Sequence, residues 1–287
     1  MSETSLPTGI RTHGPAVDML STILPGRGRL PRWRDVSRYA SPLVLVALWQ
    51  VCCSAGLLST RLVASPVQIG VTAWSLVRDG TLEANLGISL LRAVAGLSIA
   101  LLVGIGLALV SGLSRAGEDI VDAPLQIMRT LPVLALVPLF ILWFGIGETP
   151  KVLLVALGAT FPVYLNLHKG IRTVDPKLLE MARTLGLSRG RTVRDVILPA
   201  ALPDLLVGVR YAVGVAWLML VVAEQINAES GIGHMMMDAE DFLRTDIILV
   251  GLAVYGLLGL LSDNLVRGLE RWLLVWRPLS PRRGEGA

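Results

Sequence analysis

Charge is what this sequence is short of. Asp, Glu, Lys and Arg make up 17% of its 287 residues, where a soluble domain needs about a quarter to clothe its surface. With 53% hydrophobic residues and a mean hydropathy of +0.64, the deficit excludes a wholly water-facing globule. Aromatics are also scarce, at 5%, so the apolar mass is Leu, Val, Ala and Ile with 29 Gly. That mix suits helices that approach one another closely in lipid. The two cysteines, Cys52 and Cys53, are adjacent inside an apolar run, which excludes an unstrained disulfide between them and a thiolate metal site. The 3 His are scattered, with His168 and His234 lacking other ligand-type residues at metal spacing. No G-x-x-x-x-G-K-[ST] run occurs, so the chain has no recognised loop for cradling nucleotide phosphates. Acids and histidines form no catalytic cluster, which ranks a membrane enzyme well behind the other membrane-protein classes.

What is present is a series of apolar stretches, at 42–58, 86–112, 124–144, 150–168, 202–224 and 246–266. Each approaches the roughly 20 residues needed to cross about 30 Å of hydrocarbon. The expected fold is an all-α, polytopic membrane bundle of six transmembrane helices. Pro132, Pro138 and Pro162 fall inside the third and fourth spans, where neighbouring helices can satisfy the carbonyls that a proline frees. The second span is long and rich in glycine, with Gly87, Gly96, Gly104, Gly106 and Gly112 and the small-xxx-small spacing that favours tight helix contact.

Lys and Arg set the orientation. Arg61, Arg78, Lys151 and Arg244 fall in one set of loops. The other set holds Arg11, Arg27, Arg29, Arg32, Arg34, Arg38 and Arg115, the run from Lys169 to Arg194, and Arg267 to Arg283. Both termini and the 169–200 loop are therefore expected in the cytoplasm, and the high pI needs no nucleic-acid partner. Residues 1–41 read as a basic tail of disordered composition, 42–82 as the first span plus an outer helix, 83–268 as the transmembrane domain, and 269–287 as a cytoplasmic tail. In the outer segment Ser65-Pro66 opens a helix, as N-cap and first helical position. Val67, Val71, Trp74 and Val77 then recur at helical spacing. Such a helix either lies on the membrane surface or packs on the bundle as a connector.

The loop from 175 to 199 is built, not random. Asp175-Pro176 is a helix start, Leu178, Leu179, Ala182 and Leu185 keep an apolar stripe, and Gly186 supplies a left-handed C-terminal turn. A second helical stretch over about 189–198 is expected to stop at Pro199. A charged helix–turn–helix tethered at both ends to spans suits docking into a partner's groove, or simply connects helices.

The residues Glu180-Met181-Ala182, Gly186 and Val196-Ile197-Leu198-Pro199 resemble the EAA…G…I-x-LP loop of type I ABC importer permeases, with Met181 in place of an alanine. The runs 129–151, 160–183 and 208–236 resemble the sulfonate, taurine and nitrate branch, aliphatic sulfonate permeases above all. The resemblance implies a type I core and a non-catalytic subunit forming the path for a small oxyanion. It further implies a bacterial plasma membrane location, a second permease copy, two ATP-binding subunits holding ATP and Mg on the cytoplasmic side, and an extracytoplasmic binding protein. Glu180, Met181, Ala182, Gly186, Ile197, Leu198 and Pro199 would then be the ATPase-coupling residues. An ion-gradient-driven transporter, which would show matched internal repeats, is the remoter class.

Ionisable groups inside spans are costly and are functional candidates. Arg92 and Glu224 can pair with each other, or Arg92 can meet an anion. Thr130, Thr160, Tyr164, Asn166 and Gln225 can line a polar path or bond to neighbouring helices. Arg129 and Arg210 are expected near the ends of their spans, where long side chains reach the interface.

Overall fold

The computed structural model describes residues 33–58 and 63–276. Among them every regular element is a helix. The order is α1 (Trp33–Ser54), α2 (Pro66–Arg78), α3 (Thr81–Leu113), α4 (Arg115–Thr130), a 3-10 turn (Val133–Leu136), α5 (Val137–Phe144), α6 (Glu148–Arg172), α7 (Pro176–Thr184), α8 (Arg189–Thr192), a π turn (Val193–Ile197), α9 (Leu198–Asn227), α10 (Ile232–Asp241) and α11 (Thr245–Leu273). The chain divides into two compact units at Trp49 and Gln50, and the bundle from α2 onward lies wholly in the second.

α6 is the axis of that bundle. Within its apolar window 67% of residues are buried, against 28% in α3, 33% in the α8–α9 run and 17% in α11. α3 and α9 both pack along α6 and also touch each other, sharing one core cluster with it. The approach of α3 is set by a stripe of small residues at spacings of three and four: Ser89, Ala93, Gly96, Ala100, Gly104, Ala108 and Ser111, all buried. A Cβ on Gly96 would lie 2.6 Å from Val155 Cγ1, and one on Gly104 would lie 2.9 Å from Val163 Cβ. Small side chains are thus required on this seam, as in close-packed membrane helices. The opposite face of α3 leaves Leu91, Val94, Leu102 and Val110 exposed, a surface that fits lipid.

Four helices are long and apolar enough to cross a membrane: α3, α6, the α8–α9 run and α11. They coincide with the expected second, fourth, fifth and sixth spans. The expected third span, 124–144, is not one helix. α4 ends at Thr130, and the chain turns by 91° before continuing through the 3-10 turn and α5. Pro132 disfavours helical geometry at the preceding residue, and Leu131 accordingly adopts φ −72 and ψ 132. The first expected span contains a shorter apolar helical stretch, Leu43–Ser54. The described helices therefore supply four uninterrupted spans and one bent pair, not six straight ones.

Three other boundaries move. α1 begins at Trp33, inside the segment expected to be a disordered tail, because Trp33, Val36 and Ala40 extend the helical spacing of the apolar run. Residues 1–32, with Arg27, Arg29 and Arg32, lie outside the described residues, as do 277–287. At the other end α11 runs on to Leu273, past the expected limit of 266. Pro199 does not stop the second elbow helix, since α8, the π turn and α9 form one run, Arg189–Ile226. The Leu198 N–H donates to Val193 O, five residues back. This wider turn gives room for a proline ring that would clash in a regular helix.

α2 has the expected cap, with Ser65 Oγ accepting from the Gln68 N–H at 3.2 Å. Its buried Thr72 donates to Asp246 Oδ2 of α11 at 2.8 Å. Val67, Val71 and Trp74 face outward, exposed by 63%, 65% and 72%. Among the described residues the apolar stripe is therefore unpaired, as a surface-lying helix requires.

Candidate functional site

Two constructions stand out, one at each end of α6 and α9. At the Glu148 end lies a buried charge cluster. Arg92 and Glu224 are 1% and 0% exposed, and Arg92 Nη1 donates to Glu224 Oε1 at 2.8 Å. The same nitrogen donates to the Ser230 carbonyl at 2.6 Å. Arg92 Nε and Nη2 clasp both oxygens of Glu148, which also receives Lys151 Nζ at 2.9 Å.

Glu224 is saturated. Besides Arg92 it accepts from Ser89 Oγ at 2.8 Å, from the Gly233 N–H at 2.9 Å and from Tyr255 OH at 3.0 Å. Gly231 stands against the pair with φ +114, and its N–H donates to Asn85 Oδ1 at 2.7 Å. A Cβ there would come within 2.7 Å of Arg92 Nη1, so both conformation and space require glycine. Two cations and two carboxylates leave the cluster neutral. It ties α3, α6, α9, α11 and the chain entering α10 into one end. A buried charge is tolerated only with this degree of pairing. No acid or base in it is left free for proton transfer.

At the Arg172 end is the elbow. Asp175 Oδ1 accepts from the Lys177 N–H at 2.9 Å, capping α7. Gly186, at φ +69, closes it, with Gly186 N–H donating to Arg183 O and Leu187 N–H to Ala182 O, both at 3.0 Å. This is a Schellman turn. Ser188 then caps α8. Ala182 is 1% exposed, while Met181 and Leu185 are 52% and 68% exposed. Glu180, Gly186 and Pro199 are exposed, Ile197 is half-buried, and Leu198 is 37% exposed.

The family model described as "Binding-protein-dependent transport system inner membrane component" matches residues 84–275. The chain belongs to this family. It is 49% identical over 243 residues to a protein of Escherichia coli strain K12 named as an aliphatic sulfonates transport permease, SsuC, covering 85% of this chain and 92% of that one. It is 36% identical over 254 residues to the taurine transport system permease protein TauC of the same strain, covering 86% and 92%. Among solved structures, an amino acid ABC transporter aligns over 69% of this chain and 97% of its own, with TM-score 0.59 and 21% identity. That likeness concerns the fold.

Within this binding-protein-dependent permease, the elbow and the charge cluster both fall inside the matched segment. Of the expected path residues, the structure brings together only Arg92 and Glu224, as a pair. Thr160 Oγ1 and Asn166 Nδ2 bond back to carbonyls of their own helix, Ala156 and Pro162. Thr130 likewise donates to Ile127 O. Tyr164 is buried and donates to Asp122 Oδ1 at 3.2 Å. Gln225 is half-buried beside Glu224.

Arg210 does not reach for an interface on its own. Its Nη2 pairs with Glu270, and its Nε approaches Asp263 Oδ1 at 3.3 Å, joining α9 to α11. His168 Nδ1 meets Ser111 Oγ at 2.8 Å, and His234 lies 3.3 Å from Asp238. No group of three or more His, Cys, Asp or Glu is placed to hold a metal among the described residues. Sequence reasoning missed Glu148, Ser89 and Tyr255. Glu148 stands just outside an apolar run, and nothing in local spacing joins it to a residue of α3.

Proposed function

We propose that this chain is the membrane-spanning subunit of an ATP-driven importer of aliphatic sulfonates. The single observation that carries the substrate reading is the co-linear 49% identity to the sulfonate permease, which covers 92% of that protein. Two copies pair in the bacterial plasma membrane, each with six spans and cytoplasmic termini. Two separate ATP-binding subunits hold ATP and Mg, and an extracytoplasmic binding protein delivers the sulfonate.

The elbow is the docking knob for the ATP-binding subunit. Its support is an exposed apolar pair, Met181 and Leu185, on a rigidly capped, charged helix outside the spans; apolar groups left bare in this way mark contact surfaces. Buried Ala182 serves packing within the knob, and the bulk of Met181 points outward, where it costs this chain nothing. ATP-driven closure of the partners draws the elbows together and rocks the spans from inward-open to outward-open.

The test is uptake by the permease reconstituted in proteoliposomes with its ATPase and binding protein. The expected result is ATP-dependent accumulation of an alkanesulfonate in preference to taurine and nitrate. Preferential uptake of taurine or nitrate overturns the substrate, and uptake without the ATPase subunit overturns the class.

A further inference from the structure

The basic side chains of the spans are nearly all accounted for. Arg92 and Lys151 are neutralised in the charge cluster, Arg172 by Glu118, Arg210 by Asp263 and Glu270, and Arg267 by Asp263. Lys169, Arg271 and Arg129 all sit in last helical turns, but Arg129 is followed by a 91° break within the chain's apolar run. It is exposed and makes no ion pair or hydrogen bond among the described residues.

Its depth follows from the pairing of α4 with α6. Glu118 meets Arg172, Asp122 meets Tyr164, and Arg129 shares a small cavity with Phe161, Tyr164 and Leu165. Arg129 is therefore level with Phe161, about 16 Å from Arg172 and about 20 Å from Glu148 along the helix rise. That is near the middle of α6.

The backbone beside it points the same way. The chain breaks by 91° just after Thr130, and Leu131 and Pro132 are exposed in non-helical conformations. Broken backbone at depth is not tolerated against lipid, only against protein or a water-filled path. An unpaired guanidinium beside that break obeys the same rule. The polar stripe of α4, Asp122, Gln126, Arg129 and Thr130, ends at this corner. Two of the three acids below it are engaged, Glu118 by Arg172 and Asp122 by Gln126 and Tyr164, while Asp119 is exposed.

We propose that Arg129 is the anion contact of the transport path. Its planar fork takes two oxygens of a sulfonate headgroup as the substrate passes the α4–α5 corner, with Gln126 and Thr130 flanking it. A tetrahedral oxyanion suits that bidentate geometry, and a lysine supplies the charge without the fork. The inference rests on the sulfonate-import reading and names its specificity residue.

The experiment uses the complete complex in proteoliposomes, with alkanesulfonate uptake and ATP hydrolysis measured together for wild type, Arg129→Gln and Arg129→Lys. Arg129→Gln should assemble with its partners as wild type does, while alkanesulfonate uptake falls on the order of tenfold or more. Arg129→Lys should recover part of that loss. Wild-type uptake in the Arg129→Gln complex overturns the inference. So does equal loss of assembly in both variants, which would make Arg129 a contact between copies. Failure of the wild-type complex to move sulfonate refutes the import reading instead.

Discussion

Removing the charge of Glu224 while keeping its shape is the sharpest probe of what holds the bundle's Glu148 end. In Glu224→Gln the amide presents donors to a site already filled with them: Arg92, Ser89, Tyr255 and the Gly233 N–H. Breaking a buried pair from one side costs about 3–5 kcal/mol. Arg92 retains Glu148, so the lower end applies, about 3 kcal/mol. Glu148 itself is 62% exposed, and an exposed partner is worth about 1 kcal/mol or less. For a chain of this size about 2–4 °C of melting temperature is lost per kcal/mol. Glu224→Gln should therefore lower the melting temperature by roughly 6–12 °C and Glu148→Gln by no more than about 4 °C. Intrinsic fluorescence in detergent reads this directly, since Trp217 packs edge-on against Tyr255 with ring centroids 6.3 Å apart. A double-mutant cycle should give Arg92–Glu224 coupling well above Arg92–Glu148 coupling. If Glu148→Gln proves as damaging as Glu224→Gln, the argument from burial is wrong.

The α3–α6 seam makes a second prediction. Gly104→Leu should abolish recovery of folded protein, because even its Cβ lies against Val163, whereas Gly106→Ala, with nothing within 4 Å, should melt unchanged or slightly higher; size-exclusion profiles and melting curves separate the two. Asp175→Ala should cost about 1 kcal/mol through loss of its cap to Lys177, seen as earlier proteolysis at the elbow with the bundle's melting unchanged. Glu180→Arg combined with Gly186→Asp should leave the permease folded in detergent but abolish co-purification of the ATP-binding subunit; wild-type assembly and uptake in that variant would sink the docking role.

The long, strongly patterned segments were legible in the sequence. Spans 86–112 and 150–168 appear within α3 and α6 because hydropathy and length suffice to define a membrane helix. The elbow's caps were legible for a different reason: Asp175 with Pro176, and Gly186, encode their geometry locally. What local reading overlooked was cooperative. Pro132 looked like one more tolerable kink, yet Leu131 must leave helical geometry and no opposing preference restores it, so the span bends by 91°. Pro199 erred the other way, since a single π turn lets a helix pass through a proline. Glu148 could not have been assigned to Arg92, because the pair lies 56 residues apart and depends on how α6 seats against α3. The level of Arg129 beside Phe161 follows from tertiary packing, which no local pattern encodes.

These features together restrict how the bundle can move. From Leu198 to Glu224 α9 is a rod about 39 Å long, with the elbow at one end and the charge cluster at the other. α6 spans the same distance beside it. Separating α3 from α9 at the cluster end would part Arg92 from Glu224 in a water-poor interior, and sliding α3 over α6 would drive Val155 and Val163 into its small-residue seam. Both movements are costly, so α3, α6 and α9 travel as one body. The soft joints lie elsewhere: the extended break at Leu131 and Pro132, and the π turn at Val193–Ile197 that roots the elbow. A displacement applied at the elbow meets the π turn first, and what passes beyond it moves the three helices together against the Leu131–Pro132 break.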